Sequence, residues 1–305
     1  MPWEETTPME ERFRFVEDFE SALYSVTELC ERYGISRKTG YKWLNRYGVE
    51  GEAGLRDRSR APRRSPSQTA ACVVEPLLAL RRKHPTWGPR KLLAFLAKGN
   101  PQEAWPSAST AGAILKRHGL VQERRRSRSR SPVERGRLTQ ATAPNQVWAC
   151  DFKGQFRTAD GQLCYPLTVT DSYSRYLLGV EGLVSVGEPY SWPVFERLFR
   201  FYGLPQVIRS DNGSPFASRG LAGLTRLSVR WLKLGIKPER IKPGHPEQNG
   251  SHERMHRDLK RGTVRPPAAN KAAQQARFDE FRQIRNQDRP HEALGQKTPA
   301  ELYST

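Results

Sequence analysis

Three short segments hold carboxylates in settings that a solvated surface acid rarely has. In Trp148-Ala-Cys-Asp151-Phe-Lys-Gly, Asp151 ends an apolar run. In Ser210-Asp211-Asn-Gly213, Asp211 ends a second one, Gln206-Val-Ile-Arg. In Asn249-Gly-Ser-His-Glu253-Arg-Met-His-Arg257, Glu253 falls in the first turns of a basic helix. Two carboxylates at neighbouring strand ends and a third on a packed helix suit a pair of divalent metal ions. Such a pair, roughly 4 Å apart, stabilises both the attacking and the leaving oxygen of a phosphodiester.

The charge balance names the phosphodiester. Lysine and arginine number 51 against 32 aspartates and glutamates, a formal net charge of +19 over 305 residues. Because the excess is concentrated in particular segments, it points to a polyanionic partner, whose neutralised phosphates release counterions, and so to DNA. The length allows two or three domains. Four cysteines (Cys30, Cys72, Cys150, Cys164) without C-x-x-C spacing argue against a disulfide framework and a zinc site. No apolar run is long enough to cross a membrane. The N-terminus lacks the basic-then-apolar order of a signal peptide, so the expected location is the cytosol.

Residues 1–48 read as a helix-turn-helix. Helical spacing of Phe13, Val16 and Phe19 places one helix over Glu10–Tyr24, and Val26–Tyr33 is a second. Gly34 suits a turn with positive φ, and Ser36 caps a third helix, Arg37–Tyr47. Trp43 and Leu44 face inward, leaving Arg37, Lys38, Tyr41 and Lys42 outside near the N-terminal end, where a recognition helix meets the major groove. Residues 49–69 are a linker rich in Arg, Ser, Pro and Gly. Residues 70–121 return to helical periodicity as a second, smaller DNA-binding unit. Residues 122–144 form a basic linker carrying Arg124, Arg125, Arg126, Arg128 and Arg130 among serines. With almost nothing apolar it cannot bury a core, and as a strap along DNA it adds salt-sensitive affinity.

From residue 145 the pattern changes to strands and helices. Gln146–Phe152, Leu163–Thr170 and Arg175–Val180 read as three successive strands. Tyr190–Tyr202 is a helix, Gln206–Ser210 a buried strand, Leu221–Leu234 a helix and Arg240-Ile-Lys a short strand, followed by a helix from Gly250. The expected fold of residues 145–265 is a mixed five-stranded sheet with helices on both faces. Residues 266–305 add a terminal helix at Phe278–Gln287 and a tail, Arg289-Pro-His-Glu-Ala-Leu-Gly, folding back on the core.

The order strand-Asp, strand-Asp-Asn-Gly, then Asn-Gly-x-x-Glu-Arg-x-His-Arg-x-Leu-Lys resembles the integrase core of bacterial insertion-sequence transposases, relatives of retroviral integrases. Phe281-Arg, Asn286, Arg289-Pro-His, Ala293-Leu-Gly and Thr298-Pro-Ala-Glu resemble the same proteins, as does Gly34-Ile-Ser-Arg-Lys-Thr-Gly-Tyr-Lys-Trp43. The resemblance covers nearly the whole chain. It implies helix-turn-helix units ahead of an RNase H-like α/β catalytic domain with a DDE triad, which by motif falls on Asp151, Asp211 and Glu253. It also implies two Mg²⁺ ions, replaceable by Mn²⁺, and a homo-oligomer handling two element ends together on double-stranded DNA. Relatives often continue past Thr298-Pro-Ala-Glu301 with a small basic region; a chain stopping at Thr305 is expected to be a truncated or a naturally short copy.

Nearby acids are weaker candidates. Asp171 in Asp-Ser-Tyr-Ser is better explained as a turn aspartate bonding its own backbone. Glu247 stands 36 positions after Asp211, the spacing that names many members of the group, whereas Glu253 stands 42 after it. Glu247 is read as lying in a loop, however, and Glu253 on a helix whose same face carries Arg257 and Lys260, placed to hold phosphates. His252 and His256 flank Glu253 without forming the H-E-x-x-H of a metalloprotease, and are assigned a packing or DNA-facing role. The function expected is DNA cleavage and strand transfer at the ends of a mobile element. The alternatives are a non-catalytic DNA-binding regulator and a nuclease that cuts without joining.

Overall fold

A computed structural model describes residues 6–59, 68–121, 138–218, 223–243 and 245–303. It divides into two compact units, residues 1–68 and 69–305.

The first unit is built from α1 (Pro8–Glu20), α2 (Val26–Arg32) and α3 (Arg37–Glu50). Each start is set by a capping side chain: Thr7 and Ser25 make reciprocal capping boxes with Glu10 and Glu28, and Ser36 accepts from Thr39 N. Gly34 takes φ +62° in the turn between α2 and α3. Helices α2 and α3 approach closely at Gly40 on α3. A Cβ there would stand 2.6 Å from Cys30 Sγ and 3.1 Å from Phe15 Cζ, both buried. Gly40→Ala is therefore expected to destabilise this unit despite a helix-propensity gain of about 1 kcal/mol. Overpacking a tight core costs about 1–3 kcal/mol. Denaturant unfolding checks this: adding Cys30→Ala should return most of the loss, and equal stability of Gly40→Ala and the parent would refute the contact.

In the second unit, α4 (Ala71–Lys83), α5 (Pro89–Gly99) and α6 (Ala108–Arg117) enclose Leu77, Leu92, Ala111 and Leu115, each at most 1% exposed. Arg81 ties their ends together through the carbonyls of Trp87 and Leu120. This bundle packs on the rest of the unit: Ile284 joins its apolar cluster, and ion pairs link Arg90 to Glu292 and Lys98 to Glu301.

The sheet comprises β1 (Val147–Phe152), β2 (Phe156–Arg157), β3 (Leu163–Asp171), β4 (Leu177–Leu183), β5 (Val207–Ser210) and β6 (Lys237–Arg240). Its main path is the mixed five-stranded order β4-β3-β1-β5-β6, and the two-residue β2 pairs with β3. β1 runs antiparallel to β3 and parallel to β5, which is parallel to β6. Alternation sorts the side chains. Trp148, Cys150, Leu167, Val169 and Ile208 pack beneath α7 (Glu188–Tyr202) and α8 (Arg226–Lys233). The opposite face meets α9 (Gly250–Leu259) and α10 (Lys271–Gln283) through Cys164, Met255, Leu259 and Phe278.

Several boundaries differ from the sequence reading: α1 ends at Glu20, not Tyr24, α3 runs on to Glu50, and β4 spans Leu177–Leu183, not Arg175–Val180. The last strand occupies Lys237–Arg240, earlier than Arg240-Ile-Lys, because its ladder on β5 begins at Val207↔Lys237. α8 begins at Arg226, where Thr225 and Ser228 form a capping box, although the reading began it at Leu221. α10 starts at Lys271, capped by Asn270, seven residues before Phe278. Near the C-terminal end, Tyr303 stacks on Tyr176 at 4.5 Å and donates to Asn145 Oδ1 at 2.7 Å.

Candidate active site

The β1–β5 register builds the site. Val147, Trp148 and Ala149 pair with Val207, Ile208 and Arg209. Continued by two residues, that parallel register sets Asp211, just past the end of β5, beside Asp151 on β1. Adjacent strands lie about 4.8 Å apart, and equal parity points both side chains to one face. Asp151 has parity opposite to Trp148 and Cys150, so it faces α9. Its carboxyl is pushed up to about 7, chiefly by burial, then by the charge of Asp211, with Glu253 adding to the rise; Phe152 N and Lys153 oppose it. Both other acids thus act on Asp151, although among the described residues the three carboxylates do not lie within 4.8 Å of one another as a ligand cluster.

Local bonds hold Asp211. Gly213 N donates to Asp211 Oδ1 at 3.0 Å, and a Cβ on Gly213 would stand 3.0 Å from Oδ2, so glycine leaves room for the carboxylate. Asn212 Nδ2 donates to Ile241 O at 2.7 Å, fastening the turn to the chain after β6.

On α9, His252, Met255, His256 and Leu259 are buried, while Glu253, Arg257 and Lys260 are exposed. Lys260 opens a π-helical turn, Lys260–Val264. Glu247 lies in a 3-10 turn, Pro246–Asn249, leading directly into α9, a correction to its reading as open loop. Asp171 is fully buried and accepts from Ser174 N at 2.7 Å, Ser174 Oγ at 2.6 Å and Asn145 N at 3.0 Å. It is a turn-forming residue, as its sequence context suggested.

The histidines face inward, away from the exposed side of α9. Nε2 of both His252 and His256 lies 2.7 Å from Thr168 Oγ1, and His252 Nδ1 lies 3.1 Å from Thr170 Oγ1. Burial holds both rings well below the ordinary imidazole range, His252 at about 3, so both are neutral at physiological pH. His256 Nδ1 stands 3.6 Å from Asp151 Oδ2. Alternation along β3, with threonines facing the helix, was the sequence signal for this contact, but it has meaning only once β3 is known to pack under α9.

Asp151, His252 and His256 offer ligand atoms within 4.8 Å of one another. As a cage of nitrogen and oxygen this set is poor, because three of its four ring nitrogens already meet threonine hydroxyls. The carboxylates of Asp151, Asp211 and Glu253 are oxygen donors, and their mutual repulsion is what a hard divalent cation relieves.

The remaining expected site residues fall elsewhere. Arg37, Lys38, Tyr41 and Lys42 are exposed on α3, with Lys42 Nζ 3.9 Å from the centre of the Trp43 ring. Arg124, Arg125, Arg126, Arg128 and Arg130 lie outside the described residues.

Family models agree with this architecture. Two models, both described as integrase core domain, match residues 141–246 and 234–299. A helix-turn-helix domain matches residues 12–63 and a homeodomain-like domain residues 39–115. The chain is thus a protein with helix-turn-helix domains ahead of an integrase core of RNase H-like fold. It is similar to proteins of bacterial insertion elements and, over shorter stretches, to retroviral polyproteins. It is 30% identical over 195 residues to an uncharacterized 31.7 kDa protein of insertion element IS407 from Burkholderia multivorans, covering 62% of this chain and 66% of that one. It is 29% identical over 245 residues to an uncharacterized 39.2 kDa protein of IS476 from Xanthomonas euvesicatoria, covering 78% of this chain. The matched region spans 66% of the length of each relative. Among solved structures, the HTLV-2 integrase catalytic core domain in complex with magnesium is similar with a TM-score of 0.43 and 16% identity, over 54% of this chain and 100% of that one. No helix among the described residues is long and apolar enough to cross a membrane.

Proposed function

We propose that the protein is a DNA transposase that binds the ends of a mobile element, cleaves them, and joins the freed 3′ ends to target DNA. The observation that carries this reading is the parallel β1–β5 register, which sets Asp151 and Asp211 side by side on the face covered by α9, where the Glu253 charge adds to the rise at Asp151. Asp151, Asp211 and Glu253 would hold two Mg²⁺ ions, with Mn²⁺ able to replace them. When bound, such a pair supplies Lewis acidity at the phosphodiester and favours the deprotonated nucleophile.

The chain's own residues do the rest. Thr168 and His256 hold the Asp151 side of the site against α9, and the Asp-Asn-Gly turn fixes Asp211. Arg257 and Lys260, exposed on the side of α9 that carries Glu253, grip phosphates beside the scissile bond. Water attacks first and the released 3′-hydroxyl second, so no covalent bond to the protein forms. The helix-turn-helix and the arginine strap choose and retain the DNA, and two copies of the chain hold two element ends.

Labelled element ends, identified as inverted repeats flanking the gene, would be incubated with a target plasmid and Mg²⁺. Joined products support transposition. Cut ends alone would make the protein a nuclease, and binding alone a regulator.

Replacing Arg37 and Lys42 together is expected to weaken binding to the element end while sparing weak binding to random duplex. These exposed side chains sit in the first turns of α3, where base edges are reached. A lost base contact costs roughly 1–3 kcal/mol of discrimination. Equal losses on specific and random DNA, measured at one salt concentration, would assign them to phosphates.

A further inference from the structure

The side of the second unit behind α9 gathers positive charge with too little negative charge to balance it. Arg285 lies in a π-helical turn, Ile284–Asp288, and is 6% exposed; Arg289 is 8% exposed. Around them stand Lys91 from α5, Arg175 from the β3–β4 turn and His291, each acting electrostatically on its neighbours in the group. Asp258 on α9 pairs with Arg289 at 2.7 Å, Asp288 ends the same π turn beside Arg289 and is half-buried, and Glu292, exposed, is bonded to Arg90. Three buried nitrogens, Arg285 Nε, Arg289 Nε and His291 Nε2, have no hydrogen-bond partner among the described residues.

Such an arrangement is costly. A buried charge is tolerated when it is paired and hydrogen-bonded, and an unsatisfied donor forfeits its hydration. Arginine does not escape by losing its proton. Burial, Arg289 and Arg175 do pull the Arg285 guanidinium down to about 9, with Asp258 opposing them. The same cations and burial hold His291 far below the ordinary imidazole range. Lys91 and His291 are partly exposed, although His291 Nε2 and the two arginine Nε atoms are themselves buried.

We propose that Arg285, Arg289, His291 and Lys91 form an oxyanion site that takes a phosphate group, either of a nucleic-acid backbone or of free phosphate. Phosphate presents several acceptor oxygens in different directions, matching donors that arrive from α5, the π turn and the loop after it. The side-on fork of an arginine matches two of those oxygens at once. Its negative charge neutralises what Asp258 leaves over. A phosphate held here would clasp α5 to the segment lying against α9, coupling the α4–α6 bundle to the catalytic helix. The site is separate from the carboxylates and does not depend on the chemistry proposed for them.

Thermal unfolding of the full chain tests this in phosphate-free buffer, with sodium phosphate added at constant ionic strength. At a hundredfold excess over Kd the parent midpoint should rise by roughly 5–10 °C. Arg285→Met should show no such rise, yet be at least as stable as the parent without phosphate, because it removes an uncompensated charge. If Arg285→Met does not fold, Lys91→Met gives the same comparison from a partly exposed position, with most of the rise lost. Duplex DNA binding separates the sources. If the occupant is a backbone phosphate, free phosphate competes with DNA and Arg285→Met lowers DNA affinity. If it is free phosphate, calorimetry finds one phosphate per chain with and without DNA. A phosphate shift equal in parent and variant, or no shift in either together with unchanged DNA affinity, would overturn the proposal. These readings involve no strand transfer, so their failure is distinct from failure of the transposase reading.

Discussion

Asp151→Asn is expected to abolish strand cleavage while leaving affinity for end DNA nearly intact. The side chain sits on β1 next to Asp211, on the face beneath α9, and its charged form is disfavoured by burial and by that neighbour. In the protein alone, the neutral amide removes an unfavourable charge, so the variant should unfold no earlier than the parent at neutral pH. In the presence of Mg²⁺ or Mn²⁺ the order should reverse, because a divalent cation stabilises only the carboxylate pair. Loss of several kcal/mol of charge stabilisation corresponds to on the order of a hundredfold to a thousandfold or more in rate. DNA binding is carried by other surfaces and should change little. Cleavage by Asp151→Asn at a parental rate in Mg²⁺ would sink the two-metal reading.

Glu253→Gln should be nearly as damaging, and Glu247→Gln should keep substantial activity. Spacing from Asp211 favours Glu247, whereas position on α9 favours Glu253. Glu253 follows His252 and precedes His256 by three residues, and both histidines are buried against Thr168 of β3. That anchored face fixes α9, while Glu253 itself stands on its exposed side, from which its charge acts on Asp151. Glu247 belongs to the 3-10 turn before α9. Arg257→Ala and Lys260→Ala should reduce activity less, by about fivefold, since each loses one phosphate contact worth about 1 kcal/mol near the surface. Calorimetric metal titration supplies a readout free of DNA: Glu253→Gln should lose metal affinity and Glu247→Gln keep it. A dead Glu247→Gln with an active Glu253→Gln would transfer the third ligand to the turn.

Most local structure was legible because it is decided by neighbours in the chain. Ser36 capping α3, Gly34 in its positive-φ turn and Asp171 closing a turn on Ser174 are choices made within a few residues. The apolar runs ending at Asp151 and Asp211 were visible for the same reason, and so was the surplus of arginine. What the chain order could not decide was which strands become neighbours. β1 and β5 pair across 60 positions, and only that pairing makes two separate aspartates into one site. The early start of α10 was hidden by chemistry: Gln274 is fully buried, accepting from Ala268 N and donating to Thr263 O, and a polar residue in the core breaks the apolar stripe that periodicity detects. His252 and His256 likewise gain their role from Thr168 and Thr170 on a strand more than 80 positions away. Residue types and caps settle what a segment can become through short-range sterics and hydrogen bonding. Burial of the whole chain settles which of those segments meet, because contacts distant in sequence form only when the entire core is satisfied at once.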